Sequence, residues 1–64
     1  MHTVVFKLYQ HAGRGNFTTI TQSCDNIVHT RVLLRIVRAC ELTELVSVCK
    51  STMLSETEIQ ELLK

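Results

Sequence analysis

The 64-residue chain has no proline and no tryptophan, only two glycines (Gly13 and Gly15), and three aromatic residues, Phe6, Tyr9 and Phe17. Without proline, no residue removes a backbone donor or forces a helix to stop. Both glycines lie in HAGRGN (residues 11–16), so that segment carries the turn signal and the rest of the chain favours regular structure. Three cysteines, Cys24, Cys40 and Cys49, leave one thiol over in any intramolecular pairing, which points to reduced thiols and a cytosolic setting. Long uncharged runs are also missing. His29, Arg31, Arg35, Arg38, Glu41 and Glu44 interrupt the aliphatic stretch from Ile27 to Val48. A membrane-spanning helix needs about 20 mostly uncharged residues. The opening MHTVVFKLYQ has no basic segment followed by a long apolar one, so it does not read as a secretory signal.

What is present is a high apolar content: 45% of residues are hydrophobic, too many for a disordered chain. The length fits one domain, yet a chain this short hides only about 60% of the surface its unfolded form exposes. Domains of this size usually lean on a disulfide, a metal or a partner chain. The net charge of +1 conceals a division. Residues 1–40 carry Lys7, Arg14, Arg31, Arg35 and Arg38 against Asp25, a balance of +4; residues 41–64 carry Lys50 and Lys64 against Glu41, Glu44, Glu56, Glu58 and Glu61, a balance of −3. Such a split suits either a basic binding face or two halves that neutralise each other.

The periodicities predict an α+β fold. Residues 3–10 alternate, with Val4, Phe6 and Leu8 on one face and Val5, Lys7 and Tyr9 on the other. Residues 16–22, NFTTITQ, have high β-propensity, and HAGRGN joins the two segments as a hairpin. A hairpin alone is marginal and needs something packed on its face. Ser23 or Asp25 can cap a helix over residues 25–40, and no breaker prevents its extension to residue 50; alternatively Thr43 caps a short separate helix. A last helix over 56–63 follows from Ser55-Glu56-Thr57-Glu58, a capping box, with Leu54 and Ile59 placed as a hydrophobic staple.

The central helix contains RVLLRIVR. At about 100° per residue, Arg31, Arg35 and Arg38 fall within an arc of roughly 60°, while Val32, Leu33, Leu34, Ile36 and Val37 cover most of the remaining circumference. A helix apolar nearly all round is normally buried, and one hairpin with one short helix cannot cover it. A homodimer is therefore expected, with those five aliphatic residues as its core or interface; closed two-fold dimers are the commonest oligomers. The arginine ridge has three readings: a wet edge lying over the core or paired with the C-terminal glutamates, a contact for an acidic protein, or a set of phosphate contacts.

Other chemistry is thinly supported. Cys24 and His29 with Cys40 and Cys49 lack the tight spacing of zinc sites, so no metal or other cofactor is expected. A Cys24–His29 nucleophile pair would have little room for a substrate, and the chain is not read as an enzyme. Glycines in GRGN could expose amides to an anion, but a lone G-x-G outside a strand–helix context favours a plain hairpin turn. Lys7, Tyr9, His11 and Arg14 could form a basic and aromatic patch for single-stranded nucleic acid. A strand followed by two helices is similar in topology to ribbon–helix–helix DNA-binding proteins, which would imply strand pairing between subunits and contact with DNA.

Two functions remain after this reading. The first is a small cytosolic regulatory protein, an inhibitor, adaptor or anti-regulator of the phage or bacterial kind, that binds another protein through Arg31, Arg35, Arg38, Arg14, Lys7 and Tyr9. The second is a small dimeric DNA-binding regulator using the arginine ridge. They differ in where the N-terminal cations lie. One shared exposed face favours nucleic acid, and a scattered or glutamate-paired arrangement favours protein.

Overall fold

The two expected strands form, each shifted outward by one or two residues. In the computed structural model, which describes residues 1–13 and 15–64, β1 spans His2–Tyr9 and β2 spans Phe17–Cys24. They pair antiparallel without interruption from His2↔Cys24 to Tyr9↔Phe17. The Gln10 N–H donates to the Asn16 carbonyl (3.3 Å) where the connection closes. Gly15 has φ of 106°, a conformation that costs glycine little. Arg14, the remaining basic residue of the expected patch, lies outside the described residues.

The central helix, α1, spans Ile27–Ala39 and is capped by neither Ser23 nor Asp25. Ser23 still belongs to β2, and the chain turns only at Asn26, whose Oδ1 accepts the Val28 N–H at 2.7 Å. Thr30 is wholly buried and donates its hydroxyl to the Asn26 carbonyl at 3.1 Å, so it carries no unsatisfied group into the interior.

Residues 43–50 correct the sequence reading. Neither an extension of α1 to residue 50 nor a short separate helix forms there; Thr43–Cys49 is a strand, β3. Cys40 already has extended backbone (φ −85°, ψ 129°). The Thr43 hydroxyl donates to the Val37 carbonyl and lies 3.1 Å from the Cys40 carbonyl, so it serves the last turn of α1 instead of capping a new helix. Beyond it, β-branched Thr43, Val46 and Val48 suit a pleated surface. β3 pairs antiparallel with β1, completing a three-stranded sheet in the order β2-β1-β3. The register shifts between Val5 and Phe6, leaving Val46 as the extra residue of a bulge. A strand between the two helices also removes the topological likeness to ribbon–helix–helix proteins.

The last helix, α2, spans Glu56–Leu63, as the capping box predicts. Ser55 Oγ accepts the Glu58 N–H at 3.3 Å, and Glu58 Oε1 accepts the Ser55 N–H at 3.1 Å. Val4, Val48, Leu34 and Ile59 form the centre of the core, with Phe6, Leu33, Leu45, Leu54 and Leu62 packed around them. Thus β1, β3, α1 and α2 each supply one central residue, both helices lie on one face of the sheet, and β2 supplies none. No helix among the described residues is long and apolar enough to cross a membrane.

Candidate functional site

The three arginines of α1 lie together, as their spacing requires, and they face α2. Arg31 Nε donates to the Leu62 carbonyl at 2.8 Å, and an Arg35 guanidinium nitrogen approaches the Leu63 carbonyl at 3.4 Å. Arg38 pairs with Glu56 Oε1 at 2.8 Å. The ridge therefore runs the length of α2 in the opposite direction, from its C-terminal carbonyls to its first residue. The last carbonyls of a helix have no partner within it and carry partial negative charge. An eight-residue helix is too short to persist unaided. Arg31 and Arg35 supply external donors to these carbonyls.

At the other end of α2, Glu56 titrates below its ordinary value of 4.5. The hydrogen bond from Arg38 is the main cause, the one from Gln60 adds to it, and the positive charge of Arg38 reinforces both.

The aliphatic residues of α1 divide between two environments. Leu34 and Val37 are buried and Leu33 is half-buried, as a core helix requires. Val32 and Ile36 are not: with Val28 they form a stripe at four-residue spacing that is 53%, 48% and 59% exposed in chain order. On a helix these three lie opposite the Leu34 and Val37 side, so the stripe points away from the sheet. Arg35 borders it on the α2 side. Residues spaced four apart on an exposed helix face present the geometry of a helix-in-groove contact.

On the opposite face of the sheet, Lys7 and Tyr9 meet as expected, but around Phe17. Lys7 Nζ sits 4.7 Å from the Phe17 ring centre, and the Tyr9 and Phe17 rings are tilted at 57° with centres 5.4 Å apart. The Tyr9 hydroxyl donates to Glu44 Oε2 at 2.9 Å. Phe17 is on the outer face, not directed at the helices. Tyr9 is almost fully buried, which leaves Phe17 as the well-exposed ring of the pair. His11 is exposed in the connection and belongs to no part of this group.

The cysteines and His29 do not converge. Cys24 is buried at the end of β2, Cys49 is half-buried at the end of β3, Cys40 is exposed beyond α1, and all three are free thiols. Among the described residues no three His, Cys, Asp or Glu side chains gather as a metal site would require.

One open cleft of about 340 Å³ lies between α2 and the start of β1. His2, Arg31 and Lys50 line it together with Glu58 and Glu61, so its charges oppose each other across the opening. Partial burial pushes His2 below its ordinary 6.5, with the positive amino terminus and Lys50 adding to the effect. The residues that sequence reasoning overlooked are Val28 and Phe17. Val28 was legible as the four-residue extension of Val32 and Ile36, and Phe17 as the register partner of Tyr9. No protein-family model matches this chain, and no curated protein or solved structure matches it.

Proposed function

We propose that the chain is a small cytosolic regulatory protein that works as a homodimer and acts by binding another protein, not by catalysis. The exposed Val28–Val32–Ile36 stripe carries this reading. Large exposed apolar patches mark contact surfaces on small domains, and these three side chains sit on a helix whose other faces are occupied by the core and by α2. Arg35, at the border of the stripe, suits a partner segment with apolar anchors and an acidic flank. Arginine is well represented at the energetic centres of interfaces. The free thiols fit a reducing compartment.

The distribution of cations supports protein over DNA as the partner. Arg31, Arg35 and Arg38 are turned to α2, and Lys7 lies over Phe17 on the opposite face of the sheet. They do not line one exposed track along which a phosphate backbone could run.

The test is comparative capture. Tagged wild type and Ile36→Asp are incubated with lysate of the source organism at equal concentration. A protein retained by the wild type and lost with Ile36→Asp is the expected result. Equal retention by both, or none by either, overturns the reading.

A further inference from the structure

The sheet ends at β2 on one side and at β3 on the other, and the sequence treats the two edges differently. β3 contains Glu44 and the bulge at Val46, and the chain beyond it folds back so that Met53 bridges to Cys49. Charge, bulges and covering segments are the usual means of keeping a strand edge from pairing with another chain. Among the described residues β2 has none of them. FTTITQSC is eight residues without charge, proline or glycine, in unshifted register with β1 over its whole length. Six of the eight are exposed, and none belongs to the central core cluster.

The ladder determines which backbone groups of β2 face outward. Gln10 N–H donates to the Asn16 carbonyl, so that pair is hydrogen-bonded, while Tyr9 N–H turns the other way to the Leu42 carbonyl. Hydrogen-bonded and non-hydrogen-bonded pairs alternate along an antiparallel ladder. Thr18, Ile20, Gln22 and Cys24 therefore direct their N–H and C=O groups to β1. Phe17, Thr19, Thr21 and Ser23 direct theirs away from the sheet.

We propose that β2 pairs antiparallel with β2 of a second copy of this chain, about a two-fold axis through Ile20, so that two three-stranded sheets become one of six strands. The assignment rests on the homodimeric reading above but places the dimer surface on the β2 edge instead of the aliphatic face of α1. This register places every outward-facing residue of the strand in a hydrogen-bonded pair: Phe17 with Ser23 of the second copy, and Thr19 with Thr21. Ile20 meets its own counterpart on the helix side in the closer, non-hydrogen-bonded arrangement, which covers a side chain only half-buried in one copy. An uncharged strand sets no like charges opposite each other when it pairs with itself, the condition a two-fold contact imposes. The axis runs perpendicular to the sheet, so both helix layers stay on one side and the α1 stripes remain available.

Light scattering on the full chain, with circular dichroism as the folding check, tests the proposal. The wild type is expected at twice its 7.3 kDa chain mass. Thr19→Glu/Thr21→Glu sets carboxylates opposite each other across the axis and is expected to be monomeric. Thr19→Glu/Thr21→Lys sets opposite charges there and is expected to restore the dimer. Thr21→Pro blocks an outward N–H while sparing the bonds to β1, and supplies the same comparison if the doubly acidic variant does not fold. A monomeric wild type, or a folded doubly acidic or Thr21→Pro variant that stays dimeric, overturns the proposal. In the second case Ile36→Asp locates the interface: a dimer lost there moves self-association to α1.

Discussion

Two ridges of α1 run side by side and invert what their chemistry suggests. The charged ridge is engaged within the chain: Arg31 and Arg35 reach carbonyls of α2, and Arg38 reaches Glu56. The neighbouring aliphatic ridge, Val28, Val32 and Ile36, is open to solvent. Burial on this helix follows from what lies across from each face, not from hydropathy. The sheet covers the Leu34 and Val37 face, and α2 lies along the arginine face, where Arg31 is half-buried and Arg35 and Arg38 are hydrogen-bonded but still exposed. Among the described residues nothing covers the remaining arc, so hydropathy alone would misplace the aliphatic stripe.

The sharpest contrast is between two aliphatic residues of that one helix. Leu34 is wholly buried in the central cluster. Leu34→Ala is expected to cost about 3 kcal/mol, the transfer of the lost methyl groups plus the cavity left behind. Ile36→Ala, two positions away, is expected to change monomer stability by no more than about 0.5 kcal/mol, as surface substitutions do. Urea denaturation of both variants under conditions where each is monomeric measures the difference. Comparable losses would mean that the exposed stripe is covered even in the single chain.

The arginine ridge should respond on a smaller scale. Arg31→Ala removes the donor to the Leu62 carbonyl, a half-buried charge-assisted bond worth about 1 kcal/mol after allowance for its partial exposure. The readout specific to this role is local. Hydrogen exchange should accelerate at the C-terminal amides of α2 while the amides of β1 remain protected. Uniform acceleration throughout would assign Arg31 to general packing through its stem.

What was legible in the sequence depended on whether local chemistry and final environment agreed. The capping box around Ser55 and Glu58 places α2 at residues 56–63, because all its partners lie within four residues. The alternation of β1 likewise survives in the sheet, with Val4 buried on the helix side and Tyr9 on the other. β3 was unreadable for a specific reason. The bulge at Val46 turns the strand's two-residue period into inward Leu45, outward Val46 and inward Val48, a three-residue spacing that imitates a helix. Glutamates and leucines strengthen the imitation through their helix propensity. The arginine partners were hidden because the carbonyls of Leu62 and Leu63 are backbone groups of a distant segment. Every residue contributes such groups, and composition does not reveal which will need an external donor.

The smallest expected effect lies at the exposed end of the arginine ridge, and it has a definite sign. Glu56 is held below its ordinary 4.5 mainly by the Arg38 hydrogen bond, with Gln60 contributing next. A carboxylate whose folded value is depressed contributes stability that is present above its unfolded value and is lost as pH falls through the folded one. The Arg38–Glu56 contribution should therefore be intact at neutral pH and fade below about 4.5. In Arg38→Ala, an NMR titration of the Glu56 carboxyl should move its midpoint upward, stopping short of the ordinary value because the Gln60 bond persists. Raised salt should move the wild-type midpoint in the same direction, since both side chains are open to solvent and their charges are screened. An unchanged midpoint in Arg38→Ala would mean that this end of the ridge is not held to α2 in solution. The arginine ridge would then be anchored only at Arg31 and Arg35, leaving the Arg38 guanidinium available to a partner.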